Sequence, residues 1–391
     1  MALETIFALA FATNRTLVLP PAQEILYMTV HDLSQLVELN GVNVMTMADF
    51  LRQEALRLGL GREETHALIG GLQQRAIRRL EHDHPLWKRL RTRAQTPPWG
   101  ATNPSGPPAC LLVGAPSKTS IGADRAFCEG RAPFRPHEPW NDPWLLHLPC
   151  TRPPERLGWY RLFGHFYTFA SWTGDERMNR RLRALVRDGV RYARPLMCAA
   201  ASAIAQLKRE CGGSFASMHA RQGDFQRTRP RETMQAGDIE RALASDDSQR
   251  AHAGTRSSGR EGESVGECLF IASDAPKSTF ASLERGAWRP RYLSDGDLAR
   301  HGVSKALSGL VEQLVAAHGH SFYGTKLSTF SHLIFRLRGY YNLSQRSWLL
   351  VPSDPTSRRP ASLEKLRTGK PVAPYWHQEW PVAWDVEPAQ G

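Results

Sequence analysis

His320-Ser-Phe-Tyr-Gly324-Thr-Lys-Leu-Ser328-Thr-Phe330-Ser-His-Leu-Ile-Phe-Arg336-Leu-Arg-Gly339-Tyr340 reads as a short strand, a turn carrying Gly324, and a helix. Apolar side chains recur at Phe330, Leu333, Ile334, Leu337 and Tyr341, offsets of three, four, seven and eleven residues, which mark one face of an α-helix. Ser328 or Thr329 falls where an N-cap belongs, and Gly339 sits near the other end. A helix that opens on Ser-Thr presents backbone N–H groups, two hydroxyls and the positive end of its dipole, a combination that suits an anion. The same residues also suit an ordinary capped helix lying on a sheet, and this stretch alone does not separate the two readings.

A second stretch has the same grammar. In Phe215-Ala-Ser-Met-His219-Ala-Arg221-Gln-Gly-Asp224-Phe225, residues Phe215, Ser217, His219 and Arg221 alternate with Ala216, Met218 and Ala220, a strand pattern that runs into a Gly-Asp turn. In open α/β sheets, ligands sit at the carboxyl ends of strands. An arginine there can pair two oxygens of a diphosphate at once through its planar fork. Strands alternating with helices along the chain imply parallel sheets.

Four stretches together resemble the O-fucosyltransferase family, the GDP-fucose protein O-fucosyltransferases and their plant and algal relatives. His219-Ala-Arg221-Gln-Gly-Asp-Phe225 is similar to the family's HxRxGD(F/Y), and Leu269-Phe-Ile-Ala-Ser-Asp274 to its strand ending in (T/S)D. Gly324-Thr-Lys-Leu-Ser-Thr-Phe-Ser331 with Arg336-Leu-Arg-Gly-Tyr340 resembles its STF(S/T) and RxRGY segments, and Asn14-Arg-Thr-Leu-Val-Leu-Pro-Pro21 resembles the segment after its first helix. The likeness spans most of residues 3–345. It implies a GT-B-like α/β fold, in which two Rossmann-like domains face a cleft and the nucleotide sugar lies mainly on the second. The family's first strand and the Gly-Asn-Asn-type loop that precede the helix starting near Ala2 have no counterpart in the chain, so the resemblance implies an incomplete N-terminal domain. No residue here inherits that loop's role at the acceptor.

The resemblance also implies roles. Catalysis without a metal requires cations and helix N–H groups to meet the charge growing on the departing GDP. Arg221 is the expected catalytic contact to the β-phosphate and the glycosidic oxygen, with Ser328 and Thr329 holding phosphate. Phe330 would wall the nucleotide, although its place on the apolar helix face also suits plain core. Glu312 stands sixteen residues before Ser328, where relatives usually carry an Asp that accepts from the guanine edge, and a carboxylate is the right acceptor for those N–H groups. His219 would line the ribose or guanine, or be a buried strand histidine. Asp224 and Asp274 read as turn and strand-end residues rather than as bases. No cofactor and no metal is expected, and Asp246-Asp247 falls in a polar insertion.

The rest of the composition constrains the function less. The 391 residues carry a net charge of +12 and a pI near 9.7, which raises nucleic acid as a partner. The basic residues are spread out, however. One group, Arg180, Arg181, Arg183, Arg187 and Arg191, lies opposite the apolar Met178, Leu182, Leu185 and Val186, the pattern of a solvated helix face. No nucleic-acid signature accompanies them, so none is expected as a partner. No stretch approaches the ~18 apolar residues of a membrane span, and an anchor would belong to an upstream segment. Six cysteines without a CxxC argue against zinc and allow one or two disulfides of unassigned pairing. Of two sequons, Asn14-Arg-Thr16 and Asn342-Leu-Ser344, the first is expected to be buried at the start of a strand.

The expected organisation is an incomplete N-terminal Rossmann-like domain over 1–170 with a flexible loop at 94–108, a nucleotide-sugar-binding domain over 171–345 with a disordered insertion near 244–266, and a Pro/Trp-rich tail over 346–391. A helical tract over Met178–Glu210 is expected to break near Pro195. Three functions fit: a transferase using GDP-fucose on a protein or glycan hydroxyl, a related transferase using another nucleotide sugar such as UDP-rhamnose, and a non-catalytic nucleotide-binding member. The resemblance implies the Golgi or ER lumen.

Overall fold

The structure, a computed structural model, describes residues 7, 10–11, 14–19, 30–32, 42–73, 177, 181–182, 184–228, 233, 237, 239–240, 243, 266–285, 288–325, 328–341, 347–350 and 359–360. The loop expected at 94–108, the insertion at 244–265, and Cys110, Cys128 and Cys150 lie outside the described residues. The chain divides into two units, Met1–Ala193 with Val386–Gly391, and Arg194–Asp385.

In the first unit, strand β1 (Leu17–Leu19) runs parallel to β3 (Val44–Thr46), Leu17 opposite Val44. Strand β2 (His31–Asp32) pairs antiparallel with β4 (Arg191–Tyr192). Helix α1 (Met47–Glu54) starts where Thr46 Oγ1 accepts the Asp49 N–H at 3.1 Å. Its apolar side, Met47, Phe50 and Leu51, closes a core with Leu58 and Leu60. Helix α2 (Arg62–Gln73) packs beside it. Asn14 has φ 50°, and the N–H groups of Asn14 and Arg15 bond back to Phe11 O and Ala10 O, a left-handed helix end that Asn tolerates. Asn14 and Thr16 are exposed there, contrary to the burial expected from sequence, because the sequon occupies the turn and the strand begins only at Leu17.

The helical tract before the second unit breaks earlier than expected. A π-helical turn, Leu185–Gly189, passes into β4, and a new helix, α3 (Arg194–Glu210), begins after it. Pro195 therefore lies in the first turn of α3, where an absent N–H removes no helical bond.

The second unit is built on a six-stranded sheet ordered β10-β9-β8-β5-β6-β7, comprising β5 (Ala216–Ala220), β6 (Glu267–Ser273), β7 (Trp288–Arg291), β8 (Phe322–Thr325), β9 (Ser347–Leu350) and β10 (Arg359–Pro360). All neighbours are parallel except β10, which pairs antiparallel with β9. The chain starts at the centre with β5, moves out to β7, then returns to β8 on the other side of β5. That reversal makes an α/β fold with its switch point between β5 and β8, where such sheets take ligands.

Every residue of β5 is buried, as expected of a central parallel strand covered on both faces. One face, with Ala216, Met218, Leu269, Ile271 and Tyr323, packs against Ile239, Leu243, Phe280 and Leu283. After α4 (Gly223–Thr228) and α5 (Asp295–Ala299) come helices α6 (Ser308–Ala317) and α7 (Thr329–Tyr340), which the other face meets, and there the buried Ser217 hydroxyl donates to Ala316 O at 2.6 Å. The buried Arg338 of α7 donates through Nη1 to the carbonyls of Ala317 and Gly319, tying α7 to the end of α6. At the opposite end of the sheet from the switch point, a disulfide joins Cys211, just past α3, to Cys268 in β6. Among the described residues no helix is long and apolar enough to cross a membrane.

Candidate functional site

The backbone at the switch point is held by side chains where the strand ladders end. Thr325 Oγ1 accepts the Arg221 N–H at 2.9 Å and donates to His219 O at 3.0 Å, so β8 fixes the start of the chain leaving β5. The Thr325 N–H in turn donates to Ser331 Oγ, in the first turn of α7, at 2.9 Å. Gly324 permits this close approach, since a Cβ there would fall 2.9 Å from Ser331 Cβ and 3.0 Å from the Phe322 ring. Ser328 is the N-cap of α7, yet its side chain makes no capping bond. Its N–H donates to Thr325 O, and its carbonyl accepts the His332 N–H. Ser328 is buried, Thr329 exposed and Phe330 half-buried.

His219 sits beneath this helix start. Its Nδ1 lies 2.7 Å from Ser331 Oγ, and its ring stacks on Phe330 with centroids 4.3 Å apart. Burial, then the neighbouring Arg221 charge, lower its pKa to about 3. The imidazole is therefore neutral at physiological pH, which suits a wall or a hydrogen-bonding group and removes it as a proton carrier near neutrality. The start of α6 comes up beside the same ring, for a Cβ on Gly309 would lie 3.5 Å from Phe330.

Arg221 follows directly. Its Nε pairs with Asp224 Oδ1 at 2.8 Å and its Nη1 with Asp274 Oδ2 at 3.1 Å, and it lies 5.9 Å over the Phe225 ring. Glu312, on α6, has its pKa raised to about 7, chiefly by burial and then by the charge of Asp274. Asp274, which directly follows β6, thus pairs with Arg221 and places its charge near enough to act on Glu312. Among the described residues no group of three or more His, Cys, Asp or Glu is arranged to hold a metal ion.

The residues named from sequence fall into two linked sets. His219 and Phe330 touch, with Ser328 and Thr329 opening the same helix. Arg221 pairs with Asp274, whose charge also helps to raise the pKa of Glu312. Two further participants, Thr325 and Ser331, lie inside the Gly324–Ser331 motif but carried no expected role, and Asp274, expected only as a strand-end residue of the 269–274 stretch, is the partner of Arg221 Nη1 and of the Gln222 N–H.

The family model for GDP-fucose protein O-fucosyltransferase matches residues 1–341. No curated protein matches the chain. Among solved structures, POFUT1 in complex with GDP is 12% identical at a TM-score of 0.40, covering 89% of this chain and 93% of its own. POFUT1 with GDP-fucose is 11% identical at a TM-score of 0.35, covering 88% and 92%. NodZ alpha-1,6-fucosyltransferase soaked with GDP-fucose is 14% identical at a TM-score of 0.27, covering 47% of this chain, which spans 52% of that one.

Proposed function

The chain belongs to the GDP-fucose protein O-fucosyltransferase family, and from that premise we propose that it transfers fucose from GDP-fucose to a hydroxyl of a protein or glycan, with inversion at the sugar carbon and without a metal ion. The acceptor oxygen bonds to the sugar C1 on the face opposite GDP, the hydroxyl proton is lost to base, and the bonding pair of the C1–O bond departs with the β-phosphate. The observation that carries this reading is the gathering of Arg221, the start of α7 and the neutral His219–Phe330 stack around the β5–β8 reversal. Arg221 meets the charge developing on the β-phosphate, and the backbone behind Ser328 and Thr329 adds N–H donors and the positive helix end. Phe330 walls the nucleotide, His219 lines it, and Glu312 takes the base edge. The enzyme is of the GT-B kind, with two Rossmann-like domains, the second of which holds the donor. The Cys211–Cys268 disulfide supports the lumen of the secretory pathway, since such bonds persist in oxidising compartments.

One observation favours a second donor. With its pKa raised to about 7, Glu312 is half protonated near neutrality. An ionised carboxylate accepts both N–H groups of a guanine edge, whereas a protonated one offers one acceptor and one O–H donor, the complement of a uracil edge. A UDP-sugar such as UDP-rhamnose is therefore the alternative. Calorimetry with GDP and with UDP, each with and without EDTA, tests the reading. GDP is expected to bind more tightly than UDP and to keep its affinity after chelation. Loss of GDP binding on chelation, or tighter UDP, would overturn it.

A further inference from the structure

Asp274 uses both of its carboxylate oxygens on the segment that leaves β5. Oδ1 accepts the Gln222 N–H at 2.7 Å, while Oδ2 takes Arg221 Nη1 at 3.1 Å. The carboxylate is itself held in place, because the neighbouring Ser273 hydroxyl donates across to Ala220 O at 2.7 Å and accepts the Ala275 N–H at 3.1 Å. Gly223 leaves it room, since a Cβ there would fall 2.7 Å from Oδ2. The other partner of Arg221 is more exposed. Asp224 is 47% exposed, on the short helix Gly223–Thr228, against 30% for Asp274. Arginine has a long, rotamer-rich side chain, so a guanidinium at a strand end keeps one direction only where a fixed group holds it.

We propose that Asp274 is the positioning residue for Arg221, a strand-end carboxylate on β6 that aims the guanidinium leaving β5 across the β5–β8 switch point. The proposal rests on the reading of Arg221 as the contact to the donor's β-phosphate. Asp274 acts through Arg221 and touches no substrate. Gly223 belongs to the same device, because any side chain there pushes against the carboxylate.

The test compares GDP with GMP, which lacks the β-phosphate, so the ratio of their affinities reports the Arg221 contact. Calorimetry would be run on the full chain, on Asp274→Asn, on Arg221→Ala and on the double variant. Asp274→Asn keeps an oxygen for the Gln222 N–H while removing the charge that holds Nη1. The GDP-over-GMP preference is expected to fall about tenfold, an ordinary coupling for residues in contact, and Asp274→Asn is expected to add less than about twofold in the Arg221→Ala background. Gly223→Ala is expected to lower the same ratio, and it serves if Asp274→Asn fails to fold. A preference that rises or stays level in Asp274→Asn would overturn the proposal, as would a full drop that persists without Arg221. If Arg221→Ala itself leaves the preference intact, the reading of Arg221 as a phosphate contact fails and takes the proposal with it. A drop in Arg221→Ala without one in Asp274→Asn or Gly223→Ala defeats the positioning role alone.

Discussion

On the proposed reading of Glu312 as the acceptor for the guanine edge, nucleotide binding should carry a pH signature that an ordinary glutamate would not give. Burial and the facing Asp274 raise its pKa from 4.5 to about 7. A carboxylate must be ionised to accept two N–H groups from guanine, so apparent affinity scales with the ionised fraction in the free protein. That fraction is about nine-tenths at pH 8, half at pH 7 and one-tenth at pH 6, so GDP should bind about tenfold more weakly at pH 6 than at pH 8. A glutamate at 4.5 would lose almost nothing over that range. Calorimetry at constant ionic strength should show this slope, and paired buffers of different ionisation heat should show about half a proton released per GDP bound at pH 7. His219 cannot supply the signal, because its pKa is held near 3. The terminal phosphate of GDP titrates near pH 6 on its own, and Glu312→Gln isolates that part by retaining it while losing the rest. UDP, if it uses the protonated acid, should show the opposite slope. The sign for folding is opposite too. A raised folded-state pKa contributes stability that is complete below about 4.5 and lost as pH rises through about 7. Without nucleotide, Glu312→Gln should therefore stabilise the chain more at pH 8 than at pH 5. A flat GDP profile in the parent chain, or the same slope in Glu312→Gln, would refute the reasoning.

Arg221→Ala should lower fucose transfer by about 10²–10³-fold, the scale of losing one donor to a developing oxyanion. Its melting temperature should stay within a few degrees, because partly exposed ion pairs contribute about 0–1 kcal/mol each. Replacing Cys211 and Cys268 by Ser frees a loop of 57-residue separation and should cost up to about 4 kcal/mol in urea unfolding on the chain-entropy scale; a loss under about 1 kcal/mol would mean the denatured chain is not restrained there. Gly324→Ala should lower both melting temperature and GDP affinity by forcing β8 and the start of α7 apart, and unchanged values in both would contradict the tight packing at Ser331.

Local pattern made much of the second unit legible. The 3.6-residue spacing after Ser328 became α7, and the stretches at 216–220 and 269–273 fall within β5 and β6. What stayed hidden depends on strand order. Asp274 and Arg221 are far apart in sequence and meet only because β5 and β6 are neighbours. The same adjacency brings Cys268, near the start of β6, to Cys211, and six cysteines alone do not specify that pairing. Pro195 misled because proline breaks a helix interior yet suits a first turn, and which of these applies is decided by the turn at Leu185–Gly189. The raised pKa of Glu312 is likewise tertiary, since it needs both α6 packed on the sheet and Asp274 beside it.

The two ion pairs of Arg221 have a consequence for how the resting site meets small anions. One guanidinium between two carboxylates leaves that cluster with a local charge of −1, despite the chain's overall +12. On the proposed role of Arg221, docking a diphosphate would be an exchange of counter-ions rather than the filling of a positive hole, with the more exposed Asp224 as the partner displaced. On the same reading, free phosphate, chloride and sulfate should gain little by entering, because each would have to evict a carboxylate already tethered to the chain. A nucleotide held elsewhere by its base and sugar can make that exchange at high effective concentration. Selectivity for the complete donor over loose anions would in this sense be a property of the ground state, set before any sugar arrives.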